Sequence, residues 1–249
     1  DDISQSTLIK QGFILCGLRM MLYKNEIIVP KLTYEPNTKM TQAIYCKAVN
    51  KKQINIFSPP EHKSMISRIY DELGISYNFL DKSENIADKG IYNIVKKEKH
   101  KTADIYIQLP GKDFENEMLN QIEECLKSKY TCVAYINACF SGSMDIYRKL
   151  ENLNFYFSGI KPLSSTGEYL VMSQTQNCVN RFENIKLPKQ MQNLLNYIVG
   201  GMSYETQKGD SSKINTTYTY YHNRFYVSCI VLFNFFYDEN EKSGVGNSI

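Results

Sequence analysis

Residues 130–174, YTCVAYINACFSGSMDIYRKLENLNFYFSGIKPLSSTGEYLVMSQ, decide the fold expected for this chain. Residues 131–138 form a short apolar run rich in β-forming residues, which is typical of an interior strand covered on both faces. Apolar side chains then recur at helical spacing over residues 144–153, so this segment predicts one amphipathic helix. Two strand-like segments complete the stretch, and the loop between them contains Pro162 and Gly167.

The segments on either side add further helices and strands. Gly12, Gly74 and the Gly200–Gly201 pair are expected to end helices. Ser58 and Asp113 are expected to begin helices as N-caps. The predicted strands are 13–23, 43–49, 53–57, 91–97, 103–109, 131–138, 155–160 and 168–173, and the predicted helices lie before Gly12, after Ser58, and over 114–127, 144–153 and 188–199.

The composition excludes several classes of protein. With 249 residues the chain is long enough for one large or two modest domains. Lys and Arg total 29 against 26 Asp and Glu, a net charge of 29 − 26 = +3, and the charges are interspersed, so no nucleic-acid partner is expected. The exception is Lys96–Lys101, KKEKHK, which favours a solvated turn between two strands over an anion or RNA contact. The apolar run 225–237 is shorter than the ~20 residues of a membrane helix, so no membrane partner is expected.

The cysteines and histidines do not form a recognisable metal or disulfide pattern. The seven cysteines are an odd number without a C-x-x-C pair, which favours buried thiols in a reducing cytoplasm over a disulfide framework or a zinc ribbon. The three histidines stand apart from other ligand residues, so no metal site is predicted. His62 is interpreted as a surface or capping residue, with a catalytic base as the alternative.

The strand, the helix, FYFSGIKP and EYLVMSQ together resemble the C-terminal half of the GNAT (acetyltransferase) fold. They are similar in particular to bacterial two-copy GNAT proteins, in which LGFFFSGI-P precedes D-L-MQ. The segment SQSTLIKQGFILCGLRMML resembles the last helix and strand of a first copy, and PP-x-H-x-x-x-I-x-x-I-Y-x-x-L-G resembles the linker helix of the same family. The resemblance covers roughly residues 1–200. It implies an α/β (α+β), GNAT-like fold with a mixed, mainly antiparallel sheet flanked by helices.

The resemblance also implies a division of the chain. Residues 1–39 correspond to the end of a first copy and a linker, 40–201 to a GNAT-like domain, and 202–249 to an unassigned, partly disordered tail. The chain begins Asp-Asp without Met, so it is expected to be a fragment whose first copy lies upstream. That first copy or a separate protein is the expected partner.

The coenzyme site implied by the resemblance falls at the end of strand 103–109. In active GNAT domains a Q/R-x-x-G-x-G/A loop holds the coenzyme A pyrophosphate on its backbone N–H groups. Here the segment QLPGKDF has one glycine, a proline without an N–H, and the Asp113 carboxylate, which would repel phosphate. Acetyl-CoA binding in this copy is therefore not expected by the usual loop. The candidate cofactor-binding residues are Tyr106, Leu109, Gly111 and Asn137, beside an expected splayed gap between 105–109 and 132–137.

The catalytic residues of the family are also altered. GNAT domains commonly use a Tyr five residues before the Phe of Y-x-x-x-G-F as general acid, and this position is Leu150 in one copy and Leu8 in the other. Tyr147, one helical turn earlier, is the candidate proton donor, with core packing as the preferred alternative. Cys139 follows the central strand as a conceivable nucleophile, with a buried thiol as the preferred alternative.

Two functions follow from these observations. The first is a GNAT-family, acetyl-CoA-dependent N-acyltransferase, in which the full-length parent transfers an acyl group to an amine and this copy is degenerate. The second is a non-catalytic GNAT-like regulatory or protein-interaction domain. The sequence does not identify an acceptor substrate or an oligomeric state.

Overall fold

The computed structural model describes residues 2–24, 39–49, 52–81, 85–164, 166–175, 187, 192–208 and 228–233. The helices are α1 (Asp2–Lys10), α2 (Lys63–Leu73), α3 (Asn120–Lys127), α4 (Ser143–Asn152) and α5 (Gln192–Lys208). The strands are β1 (Ile14–Lys24), β2 (Lys39–Lys47), β3 (Ile54–Phe57), β4 (Tyr77–Leu80), β5 (Ile91–Lys97), β6 (Thr102–Leu109), β7 (Thr131–Asn137), β8 (Tyr156–Ser164), β9 (Gly167–Gln174) and β10 (Ser228–Phe233). Short 3₁₀ turns cover Pro60–His62 and Glu98–His100, and a π-helical turn covers Glu115–Leu119.

One eight-stranded sheet organises these elements, in the order β10-β2-β1-β8-β9-β7-β6-β5. The pairs β6–β7 and β2–β10 are parallel, and the other five pairs of neighbours are antiparallel. The short strands β3 and β4 form a separate parallel pair joined through α2. The predicted α/β (α+β) class, with a mixed, mainly antiparallel sheet flanked by helices, is confirmed.

Strand β7 lies at the centre of the core, as its apolar sequence predicted. Every residue of Thr131–Asn137 is buried. Its neighbours are β6, which is parallel, and β9, which is antiparallel. Helices α3 and α4, which enter and leave β7 along the chain, both contact it. Each of these amphipathic helices buries its apolar stripe against the sheet, which explains the helical spacing of its apolar residues.

The sheet bends strongly where β1 joins it. Strand β1 pairs with β8 at one position only, Gly17 opposite Gly159. Three strands separate β1 from β6, so a flat sheet would hold them about 19 Å apart, which is four spacings of about 4.8 Å. Instead, the Arg19 guanidinium lies 2.5 Å from a carboxylate oxygen of Asp104 on β6. Strand β1 therefore crosses over one face of the sheet, and Arg19 sits 5.8 Å from the ring centre of Tyr135 on β7.

Several element boundaries differ from the prediction. Helix α5 does not end at Gly200 and Gly201 but runs through both to Lys208. Glycine can end a helix but also adopts helical angles at a cost of about 1 kcal/mol. Pro162 lies within β8 rather than in a loop. Ser58 is not an N-cap, because its hydroxyl donates to the Pro59 carbonyl. Strand β4 was not predicted.

Parts of the predicted tail and linker join regular structure. Residues 202–208 continue α5, and β10 pairs in parallel with β2. The predicted linker 25–40 overlaps the start of β2 at Lys39 and Met40. Its residues 25–38, the start of the predicted helix at 188–191 and the rest of 209–249 lie outside the described residues. Within the described ranges, no helix combines the length and the apolar character that a membrane crossing requires.

Candidate functional site

The loop after β6 is closed by its own hydrogen bonds. The Gly111 N–H donates to the Tyr92 hydroxyl at 3.0 Å, and this hydroxyl in turn donates to Asp113 Oδ1 at 2.8 Å. The Lys112 N–H donates to the Ala87 carbonyl at 2.9 Å. Two of the backbone donors that a pyrophosphate would need are thus already used within the protein.

The Asp113 carboxylate occupies the centre of this loop. It accepts the Gly90 N–H at 2.9 Å as well as the Tyr92 hydroxyl. The prediction that Asp113 caps the following helix is wrong, because its side chain turns back to β5 instead of bonding a helix N–H. Burial and the neighbouring carboxylate raise the pKa of Tyr92, so this hydroxyl stays protonated.

The two chain segments that meet here are packed backbone to backbone. A Cβ on Gly111 would lie 2.3 Å from the Gly90 nitrogen, so only glycine fits. A shallow cavity beside the loop carries one ammonium and two carboxylates among its lining residues, Lys89, Gly90, Tyr92, Asp113, Glu117, Met118 and Gln121. The missing donor at Pro110, the closed N–H groups and the carboxylates together leave no cradle for a pyrophosphate.

The expected gap between β6 and β7 is also closed. The two strands pair in continuous register from Thr102–Thr131 to Ile107–Ile136, so the prediction of a splayed gap is wrong over these residues. Just beyond the last pair, the Asn137 side chain donates to the carbonyls of Gln108 and Thr166, both at 3.0 Å.

The Asn137 side chain therefore links neighbouring backbone segments and is not available to bind a ligand. Its Oδ1 accepts the Cys139 N–H at 3.2 Å, so both ends of the amide are used. A Cβ on Gly167 would lie 2.5 Å from this oxygen, which explains the glycine at the start of β9. The hydrogen bonds of Asn137 join the ends of β6 and β7 to the β8–β9 turn.

The other two candidates on β6 make packing contacts. The Tyr106 ring stacks on Tyr135 with centroids 4.9 Å apart and planes within 9°. Leu109 pairs with Ile91 of β5 and is half-buried. The structure thus brings Tyr106, Leu109, Gly111 and Asn137 to the half of the sheet where β6 and β7 end. Their contacts are made within the protein and form no coenzyme-binding gap.

The candidate proton donor lies in the core, and the candidate nucleophile Cys139 is half-buried against it. Tyr147 is 0% exposed and belongs to the main hydrophobic cluster. Its ring meets His62 edge-on at 6.0 Å. Burial raises the pKa of the Cys139 thiol, which opposes formation of a thiolate nucleophile.

His62 occupies a junction that its local sequence does not reveal. Its ring stacks on Phe157 at 4.3 Å, and its Nδ1 lies 2.7 Å from the hydroxyl of Tyr197 on α5. The Tyr197 hydroxyl donates to the Glu61 carbonyl at 3.0 Å, so we assign Nδ1 as the donor to this hydroxyl. The expectation of a surface or capping histidine is confirmed only for the position, because His62 is the N-cap residue of α2 but its side chain makes no capping bond, and Phe157 and Tyr197 cover part of the ring.

The electrostatics of this junction favour a neutral imidazole. Burial lowers the pKa of His62 to about 4. The Glu61 carboxylate acts against this shift, and the Arg148 charge acts with it. Arg148 also forms a two-pronged salt bridge with Glu61, at 2.5 and 2.9 Å. The residues here tie α2, α4 and α5 together, and the partner on α5 lies 135 residues away in sequence.

The chain matches no protein-family model, no characterised protein and no solved structure. In the described part of the chain, no group of three or more His, Cys, Asp or Glu side chains is placed to hold a metal ion.

Proposed function

We propose that this chain is a GNAT-like, acyltransferase-related domain that does not bind acyl-CoA in its own loop and acts as a regulatory or protein-interaction domain. The observation that carries the proposal is the closed loop after β6, in which Tyr92, Asp113 and Ala87 use the hydrogen-bonding capacity a coenzyme would need. The parallel β6–β7 pair and the β8–β9 hairpin after α4 support the family resemblance.

Coenzyme binding would require this loop to give up hydrogen bonds that it already makes. A pyrophosphate at Gly111 would have to displace two backbone hydrogen bonds, each worth about 0.5–1.5 kcal/mol net. It would also meet the Asp113 carboxylate at close range, where like charges repel most strongly. Both costs would reduce the coenzyme affinity of this copy.

Isothermal titration of acetyl-CoA and free coenzyme A into the chain tests the proposal. We expect no binding up to about millimolar ligand, in a sample whose cooperative thermal melt proves that it is folded. Micromolar binding would contradict the proposal. A Tyr92→Phe/Asp113→Gly variant is titrated in the same way for comparison. The two changes together remove the hydroxyl that accepts the Gly111 N–H and the carboxylate that would repel phosphate.

Acyl transfer from acyl-CoA to an amine by the full-length parent is the second candidate function. It is favoured by one observation. Strand β1, which together with α1 resembles the end of a first copy, joins the sheet of the second copy by pairing with β8. In this case the first copy performs the chemistry, and the 249-residue chain alone releases no coenzyme A from acetyl-CoA in the presence of amines. Turnover by the chain alone would contradict both candidates.

A cytoplasmic location is part of the proposal. The five described cysteines, Cys16, Cys46, Cys125, Cys132 and Cys139, form no disulfide. Reduced thiols are typical of the cytoplasm.

A further inference from the structure

Strand β5 forms one end of the eight-stranded sheet. It pairs with β6 on one side, and its outer side meets no strand among the residues that the structure describes. An edge strand presents a row of N–H and C=O groups that can pair with another chain. The seven residues of β5 span about 23 Å, which is long enough for a stable strand pair.

Apolar side chains stand exposed along this edge. Ile91 is 54% exposed and Val95 is 39% exposed, which makes them two of the four large hydrophobic residues exposed in the described chain. Asn93, between them in the alternation of the strand, is also exposed. Ile94 points the other way and packs on the core. The edge therefore offers a side-chain row at alternate positions, as an added strand requires.

The far end of the same edge is basic. Lys96, Lys99 and Lys101 are exposed in and after β5. Lys129 is exposed in the neighbouring turn, which the bond from Thr131 N–H to the Lys101 carbonyl (2.9 Å) holds beside it. Neither Lys96 nor Lys129 has a carboxylate within 4.0 Å among the described residues.

Two of these lysines are held in strained backbone. Lys101 has φ +50° and Lys129 has φ +61°. This left-handed conformation costs a residue with a Cβ roughly 1–2 kcal/mol, and glycine adopts it freely. Both residues end a helical turn, Lys101 after Glu98–His100 and Lys129 after α3, so this conformation fixes where the two lysines lie beside the strand.

We propose that β5 binds an extended acidic segment of a partner protein by strand addition. The apolar residues of the segment pack on Ile91 and Val95, and its carboxylates meet the lysines at the C-terminal end of the strand. The inference adds to the proposed function and does not depend on the coenzyme result.

Two other occupants fit the surface less well. A nucleic acid would not use the exposed apolar row at Ile91 and Val95, because its affinity comes mainly from its phosphates. A second copy paired antiparallel through Ile94 would place Ile91 opposite Lys97, so the basic ends would meet apolar residues instead of carboxylates.

The test uses a fluorescein-labelled peptide of alternating Glu and Val, about nine residues long, added to the whole chain. We expect saturable binding by fluorescence anisotropy that weakens with salt. In amide hydrogen exchange, the β5 amides that do not bond to β6 should become protected. Lys96→Glu/Lys99→Glu should weaken binding at least tenfold. Lys10→Glu/Lys52→Glu, an equal change of net charge at exposed sites elsewhere, should leave binding unchanged.

Each alternative has its own result, and each would overturn the proposal. Equal binding of the same peptide N-methylated at alternate residues would exclude strand pairing. Binding of a DNA duplex at equal affinity, without β5 protection, would indicate a general anion surface. Concentration-dependent β5 protection without peptide would indicate a second copy. An absence of peptide binding would mean that the lysines only guard the edge against aggregation.

Discussion

His62 is a half-buried base whose neutral form the fold favours. Its ordinary pKa is about 6.5 and burial lowers it to about 4 in the folded protein. The unfolded chain therefore takes up the proton first, so the stability present above pH 6.5 is lost as the pH falls toward 4. The facing groups are Glu61, Arg148, Tyr147 and Tyr197.

The first prediction compares the wild type with His62→Gln in urea unfolding at pH 7.5 and pH 4.5. By the linkage relation, the wild type should lose roughly 2–3 kcal/mol more than the variant over this interval. The variant serves as the control for carboxylates that titrate in the same range. Parallel pH profiles for the two proteins would show that His62 is not buried as described.

The second prediction concerns the Tyr70 hydroxyl, which donates to Oε2 of buried Glu168 at 2.9 Å. Tyr70→Phe should lower the free energy of unfolding by about 1–3 kcal/mol, because it leaves a buried carboxylate oxygen without this donor. Tyr77→Phe is the matched control, since its hydroxyl meets an exposed Asp71 at 3.3 Å and its loss should cost under about 0.5 kcal/mol. Equal effects would contradict the buried pair.

At the level of elements, apolar spacing predicted most helices and strands. The stripes of α2 and α4 and the buried β7 are local patterns, so the sequence alone located β7, α4 and the end of α2 within one residue. The start of α2 was predicted too early, because Pro60–His62 form a 3₁₀ turn before it. Strand β4 was missed because it has four residues and depends on β3, more than twenty residues earlier. Asp113 was misread as a cap because its true partners, Gly90 just before β5 and Tyr92 on β5, lie more than twenty residues earlier in the chain.

Helix α5 provides a prediction about the glycines that were expected to end it. Among the residues that the structure describes, a Cβ added at Gly200 or Gly201 would have no neighbour within 4 Å outside its own helix. Gly200→Ala and Gly201→Ala should each raise the free energy of unfolding by up to about 1 kcal/mol, because alanine is the better helix former. Gly159→Ala is the opposing comparison: at φ +122° its Cβ would lie 2.3 Å from Gly17 Cα, so it should be strongly destabilising. Destabilisation by Gly200→Ala would instead indicate a helix end at this residue.

At the level of the whole molecule, the bend of the sheet depends on contacts that no local pattern reveals. Arg19 and Asp104 are 85 residues apart in sequence and both are buried. Asp104 Oδ2 also accepts a hydrogen bond from the Lys97 ammonium at 3.0 Å. The Arg19 guanidinium also donates to Gln42 Oε1 at 2.5 Å. A charged residue in an apolar strand predicts a buried partner, but not which one.

The prediction at this scale is a double-mutant cycle on the pair. The single changes are Arg19→Met and Asp104→Leu. Asp104→Leu should cost about 3–5 kcal/mol in urea unfolding, because it leaves the buried Arg19 guanidinium without its carboxylate partner. Arg19→Met/Asp104→Leu should cost less than the sum of the single changes, since the two charges leave together. Additive losses would show that the two side chains do not interact, and the bend of β1 over the sheet would then need another cause.

The central claim is that the loop after β6 is closed in the free protein. The most direct measurement is amide hydrogen exchange at Gly111 and Lys112, by NMR, with and without about 1 mM coenzyme A. If the bonds to the Tyr92 hydroxyl and the Ala87 carbonyl are present, both amides exchange slowly in the free chain and the coenzyme changes neither rate. Fast exchange in the free chain that slows when coenzyme A is added would contradict the account and identify the loop as a working phosphate site.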